Sequence, residues 1–356
     1  MTIISQDAVQ AYYKPSLSKA LSMNKSPKEL ILKSLHILKR DLDAKIFEHT
    51  QVLKINDENK TVQCMAKGSC DENPLSFELE YQSLILATGA NPIKLPIKGA
   101  AGSVVSVNTL QDYGRFRDMI EAKKRVLIIG AGFVGCEFAS DLSGQGYQVS
   151  VVDRSSWPLQ TVLPEEIGQE IKQALAQNGV NWNFETTIEK ISKDGHRLSV
   201  QLSNASVIQA DVIISAIGLQ PNIHIASEAG LNTRKGIVIN PYCQTSRDHI
   251  YALGDCVEYD GQPLPFIAPA TLAAKALAKT LTGNKTPLVL PPQPVAIKIA
   301  NCPTIICPPS SRQGTWQVKG SGQDLEAQYV SNTDEFCGFA LSGKKTSLKG
   351  EFLSRY

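Results

Sequence analysis

Three glycines in the middle of the chain have the spacing of a phosphate-binding turn. Gly130, Gly132 and Gly135 follow the apolar run 126–129 and precede apolar residues at helical spacing. Gly130 permits a sharp turn, Gly132 lets the backbone approach a pyrophosphate, and Gly135 lets a helix pack closely on a strand. The N–H groups at the start of that helix would bind phosphate oxygens. The segment therefore predicts a dinucleotide site.

An acidic residue follows at the distance that this type of site requires. The apolar strand predicted at 147–152 ends at Asp153, about 20 residues beyond the glycines. A carboxylate there accepts hydrogen bonds from a ribose 2′-hydroxyl and repels a 2′-phosphate, so NADH is favoured over NADPH. Arg154 weakens this preference. The alternative, a glycine-rich turn without a ligand, is disfavoured because strand, helix and acid are all in place.

Strands and helices are predicted to alternate along the chain, which indicates an α/β fold. The apolar strand 81–89 ends in small residues, as expected of a parallel strand whose carboxyl end faces a ligand. Helices are predicted at 110–123, 164–177 and 269–281, and further strands at 46–55, 61–65, 77–81, 181–184, 189–193, 197–202, 211–216, 236–240 and 250–256. After a proline-rich break, a small, mostly β domain is predicted from segments 295–299, 304–306, 316–318 and 325–341, with a solvated basic tail.

The composition is that of an ordinary globular protein. The chain has 356 residues, of which 42% are hydrophobic and 20% charged, and its formal net charge is +2. No clustered basic stretch is evident, so a nucleic-acid partner is not expected. The N-terminal residues lack the pattern of a signal peptide, and no apolar run approaches about 18 residues. We therefore expect a cytoplasmic protein that is not inserted in a membrane.

The eight cysteines are scattered along the chain and include no C-x-x-C pair. Neither a disulfide framework nor a redox-active pair is therefore predicted. Cys302 and Cys307 have a C-x4-C spacing, but they lie among prolines and away from any predicted helix that would lower a thiol pKa. We interpret both as structural. The five histidines lack the spacing of metal ligands, and no metal site is predicted.

Five motifs in a fixed order give the sequence a resemblance to a known family. They are K-P-S-L-S at 14–18, L-A-T-G-A at 86–90, G-A-G-F-V-G-C-E-F-A at 130–139, A-I-G-L-Q-P-N at 216–222 and Y-A-L-G-D-C at 251–256. Together with V-A-I-K at 295–298, they resemble the FAD-dependent pyridine nucleotide-disulfide oxidoreductases, and among these the bacterial rubredoxin-NAD reductases. The resemblance extends over nearly the whole chain.

The resemblance implies two Rossmann-like dinucleotide-binding domains and a small C-terminal α+β domain. Residues 1–111 and 237–290 would form the FAD-binding domain, 112–236 the NAD-binding domain, and 291–356 the C-terminal domain. In the family, a strand, a glycine loop and a helix of roughly thirty residues precede the segment that begins this chain. The FAD-binding domain is therefore expected to be incomplete, with unpaired strand edges where its central strand is missing. Either the true start lies upstream, which we favour because the other FAD contacts are kept, or the chain is a real truncation.

The resemblance also implies which residues contact the cofactors. Gly254 and Asp255 would hold the ribityl and phosphate part of FAD. Lys14 and Glu137 would be catalytic and would form a buried ion pair beside the isoalloxazine ring, although Glu137 could instead only cap its helix. The other residues implied for FAD are Val52, Ala87, Thr88, Gly89, Ile267 and Lys298. Those implied for NAD are Gly130, Gly132, Gly135, Asp153, Gly218 and again Glu137.

These implications predict an enzyme that takes a hydride from NADH onto FAD and passes electrons to rubredoxin or a similar small iron-sulfur carrier. Disulfide reduction is disfavoured because the chain has no redox-active cysteine pair. Two alternatives stay open: a related flavoenzyme that reduces a quinone, a ferredoxin or monodehydroascorbate, and a truncated NAD-binding remnant without activity. The sequence leaves the oligomeric state open.

Overall fold

The glycine-rich turn follows the central strand of a parallel sheet. In the computed structural model, which describes residues 1–66, 75–195, 197–311 and 313–356, strand Arg125–Ile129 pairs with Val212–Ser215 on one edge and Gln148–Val152 on the other. Every residue of this central strand after Arg125 is buried. The run is apolar throughout because both faces of a central parallel strand are covered.

The described residues form α-helices distributed along the whole chain. These are α1 Leu35–Leu42, α2 Leu110–Ile120, α3 Phe133–Gly144, α4 Glu165–Gln177, α5 His224–Glu228, α6 Ile267–Leu281 and α7 Lys349–Leu353. Short 3-10 helices occur at Lys14–Lys19, Pro27–Leu30, Ala101–Ser103, Gly254–Cys256 and Gly343–Leu348. The helices predicted at 110–123, 164–177 and 269–281 correspond to α2, α4 and α6. The sequence pattern did not predict α1, none of whose residues is buried.

By its internal contacts the chain divides into two units. Unit 1 consists of Met1–Tyr12, Ile31–Asn91 and Leu219–Pro291, and unit 2 of Tyr13–Leu30, Pro92–Gly218 and Pro292–Tyr356. The predicted bounds of the individual domains stay predictions. Cys70 lies outside the described residues.

Unit 1 contains short parallel pairs of strands. Thr2–Ile4 pairs with Lys45–Phe47, and Leu84–Leu86 pairs with Ile250–Ala252. Within the described part of the chain, each pair forms a separate two-stranded sheet.

The remaining strands of unit 1 are short and mostly antiparallel. They are Ala11–Tyr12 with Ile31–Lys33, the three-stranded sheet of Thr50–Asn56, Thr61–Ala66 and Leu75–Glu80, the three-stranded sheet of Ile237–Val238, Val257–Tyr259 and Gln262–Pro263, and the strands Ala90–Pro92 and Leu219–Pro221. The segment 46–55, predicted as one strand, is broken because His49 has a φ of +50°, which no regular strand accommodates. A core that includes Leu86, Ile250 and Leu277 holds unit 1 together.

Unit 2 contains the large parallel sheet and a smaller sheet beside it. The parallel sheet has five strands in the order Val104–Ser106, Val212–Ser215, Arg125–Ile129, Gln148–Val152 and Asn181–Asn183. The smaller sheet has the order Lys98–Gly99, Ile188–Asp194, Arg197–Leu202 and Val207–Ala210. Leu127, Ile191 and Val200 belong to one core cluster, which joins the two sheets.

The C-terminal part of unit 2 is an antiparallel sheet followed by helix. Its strands have the order Val295–Ile297, Thr304–Cys307, Phe336–Ser342, Asp324–Ser331 and Gly314–Ser321. The predicted segment 325–341 is a hairpin that turns at Asp334, where φ is +60°. The predicted solvated tail is instead helical, and Phe352 of α7 packs at 5.3 Å from Phe339 between ring centroids. Lys344 and Lys349 of this segment are nevertheless exposed.

Candidate functional site

The glycine-rich turn is held in shape by contacts that only glycine permits. Gly130 has a φ of +105°, and a Cβ on it would lie 2.6 Å from the carbonyl oxygen of Ala216. A Cβ on Gly135 would lie 1.9 Å from the carbonyl oxygen of Gly130. The turn and the first turn of α3 therefore pack backbone against backbone, as the sequence spacing predicts.

The middle glycine of the turn faces open space instead. A Cβ on Gly132 would meet no atom within 4 Å, and Gly132 is the N-cap of α3. Open space in front of a helix N-terminus is what a pyrophosphate needs. Gly218, the other small residue predicted for NAD, is exposed with a φ of +112°, and its carbonyl accepts a hydrogen bond from the Ile93 N–H at 3.1 Å. The turn fits a dinucleotide.

Asp153 braces the glycine-rich turn. One carboxylate oxygen accepts a hydrogen bond from the Ala131 N–H at 2.6 Å, and the other accepts from the Ser155 N–H at 2.7 Å and from the Ser155 hydroxyl. Asp153 directly follows strand Gln148–Val152 and is only partly buried. A carboxylate has about four acceptor positions, so these contacts leave room for the predicted ribose hydroxyl.

Glu137 on α3 takes part in a partly buried ion pair near the glycine-rich turn. The Lys298 ammonium lies 3.1 Å from Oε2 of Glu137, and Glu137 is 7% exposed. Lys298 Nζ also donates to the carbonyl of Pro15 at 2.6 Å. The same Oε2 of Glu137 accepts a hydrogen bond from the Ser18 hydroxyl at 2.5 Å. Glu137 thus binds two donors from distant parts of the chain and does not act only as a helix cap.

The sequence did not predict the contact between Lys298 and Glu137. The resemblance implied an ion pair of Glu137 with Lys14, which stays a prediction, and the structure places the Lys298 ammonium beside Glu137. Lys14 begins the 3-10 helix Lys14–Lys19, which supplies Pro15 and Ser18 to the cluster. Lys298 had been implied only as an FAD contact, and no feature of the sequence shows that it pairs with Glu137. Ser18 was missed, although it ends the K-P-S-L-S motif.

A second buried acid on α3 holds the same segment. The carboxylate of Asp141 accepts hydrogen bonds from the N–H groups of Leu21 at 3.1 Å and Ser22 at 2.8 Å. Burial raises the pKa of Asp141, while these N–H groups and the Ser22 side chain oppose the rise. Asp141 and Glu137 are one helical turn apart on α3, so they face the same way. The two carboxylates together hold the segment 14–22 against α3 by accepting hydrogen bonds from Ser18, Leu21 and Ser22.

In unit 1, the predicted residues Thr88 and Gly89 are tied to Asn222. The Thr88 hydroxyl donates to the Asn222 carbonyl at 2.7 Å, and the Asn222 side chain donates to the Thr88 carbonyl at 2.8 Å. The Asn222 N–H donates to the Gly89 carbonyl at 2.9 Å. Asn222 ends the motif A-I-G-L-Q-P-N, and its positioning role was not predicted.

Gly89, Gly254 and Asp255 follow the carboxyl ends of two parallel strands in unit 1. Strands Leu84–Leu86 and Ile250–Ala252 are parallel, so the residues that follow them lie at the same end. The Leu253 N–H donates to the Leu86 carbonyl at 3.1 Å. A Cβ on Gly89 or Gly254 would meet nothing within 4 Å, and both have positive φ. The open space at these two glycines fits a flavin nucleotide.

The other residues predicted for FAD in unit 1 are more dispersed. Ala87 is exposed and directly follows strand Leu84–Leu86. Val52 lies in strand Thr50–Asn56 and packs against the core of unit 1. Ile267 begins α6 and is 44% exposed. The contact of these three residues with FAD stays a prediction.

Comparison with known proteins assigns the family. Residues 1–276 match the family model described as pyridine nucleotide-disulphide oxidoreductase, and residues 287–355 match the rubredoxin binding C-terminal domain. This chain belongs to the pyridine nucleotide-disulphide oxidoreductase family. The family and the α/β fold class predicted from the sequence are therefore confirmed.

Individual members of the family are similar over almost the whole chain. A rubredoxin-NAD(+) reductase of Acinetobacter baylyi is 40% identical, covering 96% of this chain and 86% of the relative. A rubredoxin-NAD(+) reductase of Alcanivorax borkumensis is 37% identical, covering 98% of this chain and 90% of the relative. The crystal structure of the covalent putidaredoxin reductase–putidaredoxin complex is 25% identical with a TM-score of 0.87, covering 99% of this chain and 87% of that one.

The described cysteines of this oxidoreductase are all free and buried. Burial raises the pKa of the Cys302 and Cys307 thiols, and it raises that of Cys243 to about 11. A thiol with a raised pKa is a poor nucleophile. The structural interpretation of Cys302 and Cys307 thus agrees with their surroundings.

No helix in the described ranges is long and apolar enough to cross a membrane. Within the same part of the chain, no group of three His, Cys, Asp or Glu side chains could hold a metal ion.

Proposed function

We propose that this protein passes electrons from NADH through FAD to rubredoxin or a similar small iron-sulfur carrier. Relatives at 37% to 40% identity are named rubredoxin-NAD(+) reductases. Residues 287–355 match a domain that is described as rubredoxin binding. The protein is thus an NADH-dependent flavoprotein oxidoreductase whose acceptor is an electron-carrier protein.

One contact supports this proposal more than any other. Lys298 belongs to the segment that matches the rubredoxin binding domain, and its ammonium group pairs with Glu137 on α3. Helix α3 begins at the glycine-rich turn. The segment that matches the rubredoxin binding domain and the nucleotide-binding helix are therefore joined by an ion pair within unit 2.

The residues of the glycine-rich turn bind NADH. Backbone N–H groups at the start of α3 bind the pyrophosphate, and the open space at Gly132 admits it. Asp153 accepts hydrogen bonds from the ribose hydroxyls and disfavours a 2′-phosphate. Gly218 leaves room for the nicotinamide because it has no side chain.

The residues of unit 1 bind FAD. Gly89 and Gly254 give its nucleotide part room at the strand ends, and Asp255 accepts a hydrogen bond from a hydroxyl group. Val52, Ala87, Thr88 and Ile267 complete the proposed set of contacts in unit 1. FAD supplies the chemistry that no side chain offers, since a flavin accepts two electrons from NADH and can release them singly.

Glu137 and Lys298 provide a fixed charge for the reaction. Lys298 keeps its ammonium between a carboxylate and the Pro15 carbonyl, and this geometry leaves it little freedom. A preorganised positive charge stabilises negative charge that develops nearby. Because Glu137 neutralises part of that charge, the pair also sets how strong the effect is.

The test is reduction of rubredoxin by NADH, catalysed by the purified chain supplied with FAD. Rubredoxin, a ferredoxin, a quinone and monodehydroascorbate are offered separately, and the rate for each is measured at one NADH concentration. We expect rubredoxin to be reduced fastest. Lys298→Met should lower that rate by at least about tenfold, whereas Lys319→Met, which changes an exposed lysine of the same domain, should leave it unchanged.

Other outcomes would change the assignment. Faster reduction of ferredoxin or of a small acceptor would make this chain a related flavoenzyme with a different partner. Failure to bind FAD, measured as the absence of flavin absorbance after gel filtration, would remove the activity from this polypeptide and leave an NAD-binding protein.

We also propose that the protein acts in the cytoplasm. Its described cysteines are free and include no pair spaced for a disulfide, which is the usage of a reducing compartment.

A further inference from the structure

Ser18 makes a contact that neither the motif nor the proposed chemistry explains. Its hydroxyl lies 2.5 Å from Oε2 of Glu137, the same oxygen that binds Lys298. Ser18 is 5% exposed and Glu137 is 7% exposed. A buried carboxylate needs donors to compensate for lost water. Ser18 supplies one such donor and Lys298 another.

The segment that carries Ser18 is fastened so that the hydroxyl is held in place. Leu17 and Ala20 on either side are buried. Asp141, one turn after Glu137 on α3, accepts hydrogen bonds from the N–H groups of Leu21 and Ser22. The backbone on which Ser18 lies is therefore fixed by contacts that do not involve the Ser18 side chain.

The geometry links Ser18 to Lys298 through two shared acceptors. The Glu137 carboxylate binds both the Ser18 hydroxyl and the Lys298 ammonium, and the Pro15 carbonyl binds Lys298 at 2.6 Å and lies 3.3 Å from the Ser18 hydroxyl. Without the hydroxyl, the Glu137 oxygen would be free to turn towards Lys298. The ammonium group would then shift or be neutralised more fully.

We propose that Ser18 is a positioning residue: its hydroxyl fixes the Glu137 carboxylate and thereby sets the place and effective charge of the Lys298 ammonium. The inference rests on the proposed function only for its catalytic consequence, which is a faster transfer of hydride from NADH to the flavin. The contact itself is a property of the chain alone.

The first test measures the lysine directly in the protein without added nucleotides. Lysines are labelled with 13C and 15N at the end of the side chain, and the NMR signal of Lys298 is assigned by its loss in Lys298→Met. We expect Ser18→Ala to shift this signal and to speed the exchange of its ammonium protons with water. Ser143→Ala is the matched control, because the Ser143 hydroxyl on α3 also donates to a carbonyl three residues earlier, that of Ser140, and its loss should leave the signal unchanged.

The second test is a double-variant cycle on the holoenzyme. The rate of flavin reduction by NADH is measured for the wild type, Ser18→Ala, Glu137→Gln and the double variant. We expect Ser18→Ala to be about tenfold slower than the wild type, the size expected for a hydrogen bond to a charged group. If Ser18 acts through Glu137, the double variant should be no slower than Glu137→Gln alone.

Two results would overturn the proposal. One is an unchanged Lys298 signal in Ser18→Ala. The other is a double variant in which the two losses multiply, because Ser18 would then act independently of Glu137. Failure of the proposed function is a separate outcome, because the effect of Ser18→Ala on the Lys298 NMR signal can also be measured in a chain that does not reduce rubredoxin.

Discussion

Glu137 belongs to the helix that follows the glycine-rich turn, and it also binds side chains from two distant parts of the chain. It lies on the buried side of α3, yet its carboxylate is paired with Lys298 and Ser18. Burying the Glu137 carboxylate costs desolvation energy, so its ion pair with the partly exposed Lys298 is weak evidence for stability. Its presence on the first turns of the nucleotide-binding helix therefore favours a functional role over a structural one.

Asp153 also serves two purposes, and a substitution can separate them. Asp153→Asn keeps one oxygen that can accept from the Ala131 N–H, so the turn should remain braced. The variant loses the negative charge that repels a 2′-phosphate. We expect the ratio of kcat/KM for NADH over NADPH to fall by about tenfold, measured with the same acceptor.

The matched control for this prediction is Arg154→Gln. Arg154 is exposed beside Asp153 and would attract a 2′-phosphate, so its removal should change the ratio in the opposite direction. An unchanged ratio in Asp153→Asn would mean that Asp153 only braces the turn.

At the scale of elements, strand Arg125–Ile129, the glycine-rich turn and α3 form one continuous motif, and its glycines have different functions. A Cβ on Gly135 would overlap the Gly130 carbonyl, whereas a Cβ on Gly132 would meet nothing within 4 Å. Gly135 is thus required for packing. Gly132 is required only if a molecule outside the chain, such as a nucleotide, approaches the backbone there.

Substituting these two glycines should give opposite results. Gly135→Ala should destabilise unit 2 by roughly 3 kcal/mol or more, because rigid backbone has to move. Gly132→Ala should keep the thermal midpoint within a degree or two of the wild type, about what a change below 0.5 kcal/mol gives, but should weaken NADH binding at least about tenfold. Thermal unfolding and NADH titration measure the two effects. Normal NADH affinity in Gly132→Ala would contradict the placement of the pyrophosphate.

A second element-scale feature is the ion pair at the start of the parallel sheet. Asp211 precedes strand Val212–Ser215, and its carboxylate binds the Arg125 side chain at 2.6 Å and the Arg125 N–H at 3.0 Å. The Arg125 guanidinium lowers the pKa of Asp211 from 3.8 to about 2, although burial acts in the opposite direction. The folded state therefore favours the ionised carboxylate.

The sign of the pH dependence follows from that lowered pKa. The stabilisation by Asp211 is fully present above pH 3.8 and is lost as the pH falls towards about 2. Asp211→Asn should reduce the free energy of unfolding at neutral pH by about 1 to 2 kcal/mol, allowing for partial exposure of the pair to solvent. Towards pH 2 the variant and the wild type should converge. Asp118→Asn, at an exposed position of α2, is the control, and a difference that persists at pH 2 would contradict the role of the charge.

At the scale of the whole molecule, unit 2 joins parts of the chain that are far apart in sequence. The C-terminal sheet belongs to the same unit as the nucleotide-binding sheet. The Asn301 side chain donates to that of Asn178 at 3.0 Å, in addition to the Lys298 and Glu137 pair. We therefore expect the C-terminal sheet and the nucleotide-binding sheet to unfold together.

The tryptophans make this expectation measurable. Trp157, Trp182 and Trp316 account for all three tryptophans, and all lie in unit 2. NAD+ at about a hundred times its Kd should raise the free energy of unfolding that tryptophan fluorescence reports by about 2.7 kcal/mol. Urea unfolding with and without NAD+ tests this, with Gly132→Ala as the comparison variant, whose weaker binding should reduce the shift to about 1.4 kcal/mol or less. An absent shift in the wild type would show that unit 2 does not bind the nucleotide.

Local features of the fold were predictable where they depend on neighbouring residues. The helix at 110–123 was predicted, and Thr109 and Asp112 form the capping box that begins α2. The break at His49 and the hairpin at Asp334 were not predicted, because a non-glycine residue with positive φ leaves no clear signal in the sequence. The packing of Phe352 on Phe339 was missed for a different reason, since a short C-terminal helix is stabilised by the sheet that it contacts.

The sequence by itself determined the nucleotide-binding turn, the acid at Asp153 and the family, because these depend on steric and hydrogen-bonding rules that act over a few tens of residues. Only the tertiary structure decided that Lys298 pairs with Glu137, across 161 residues, and that Ser18 binds the same oxygen across 119. Lys298 lies near the end of the chain and Ser18 near its start. That both reach α3 depends on how the sheets pack, and that information is spread over the whole core rather than written in a motif.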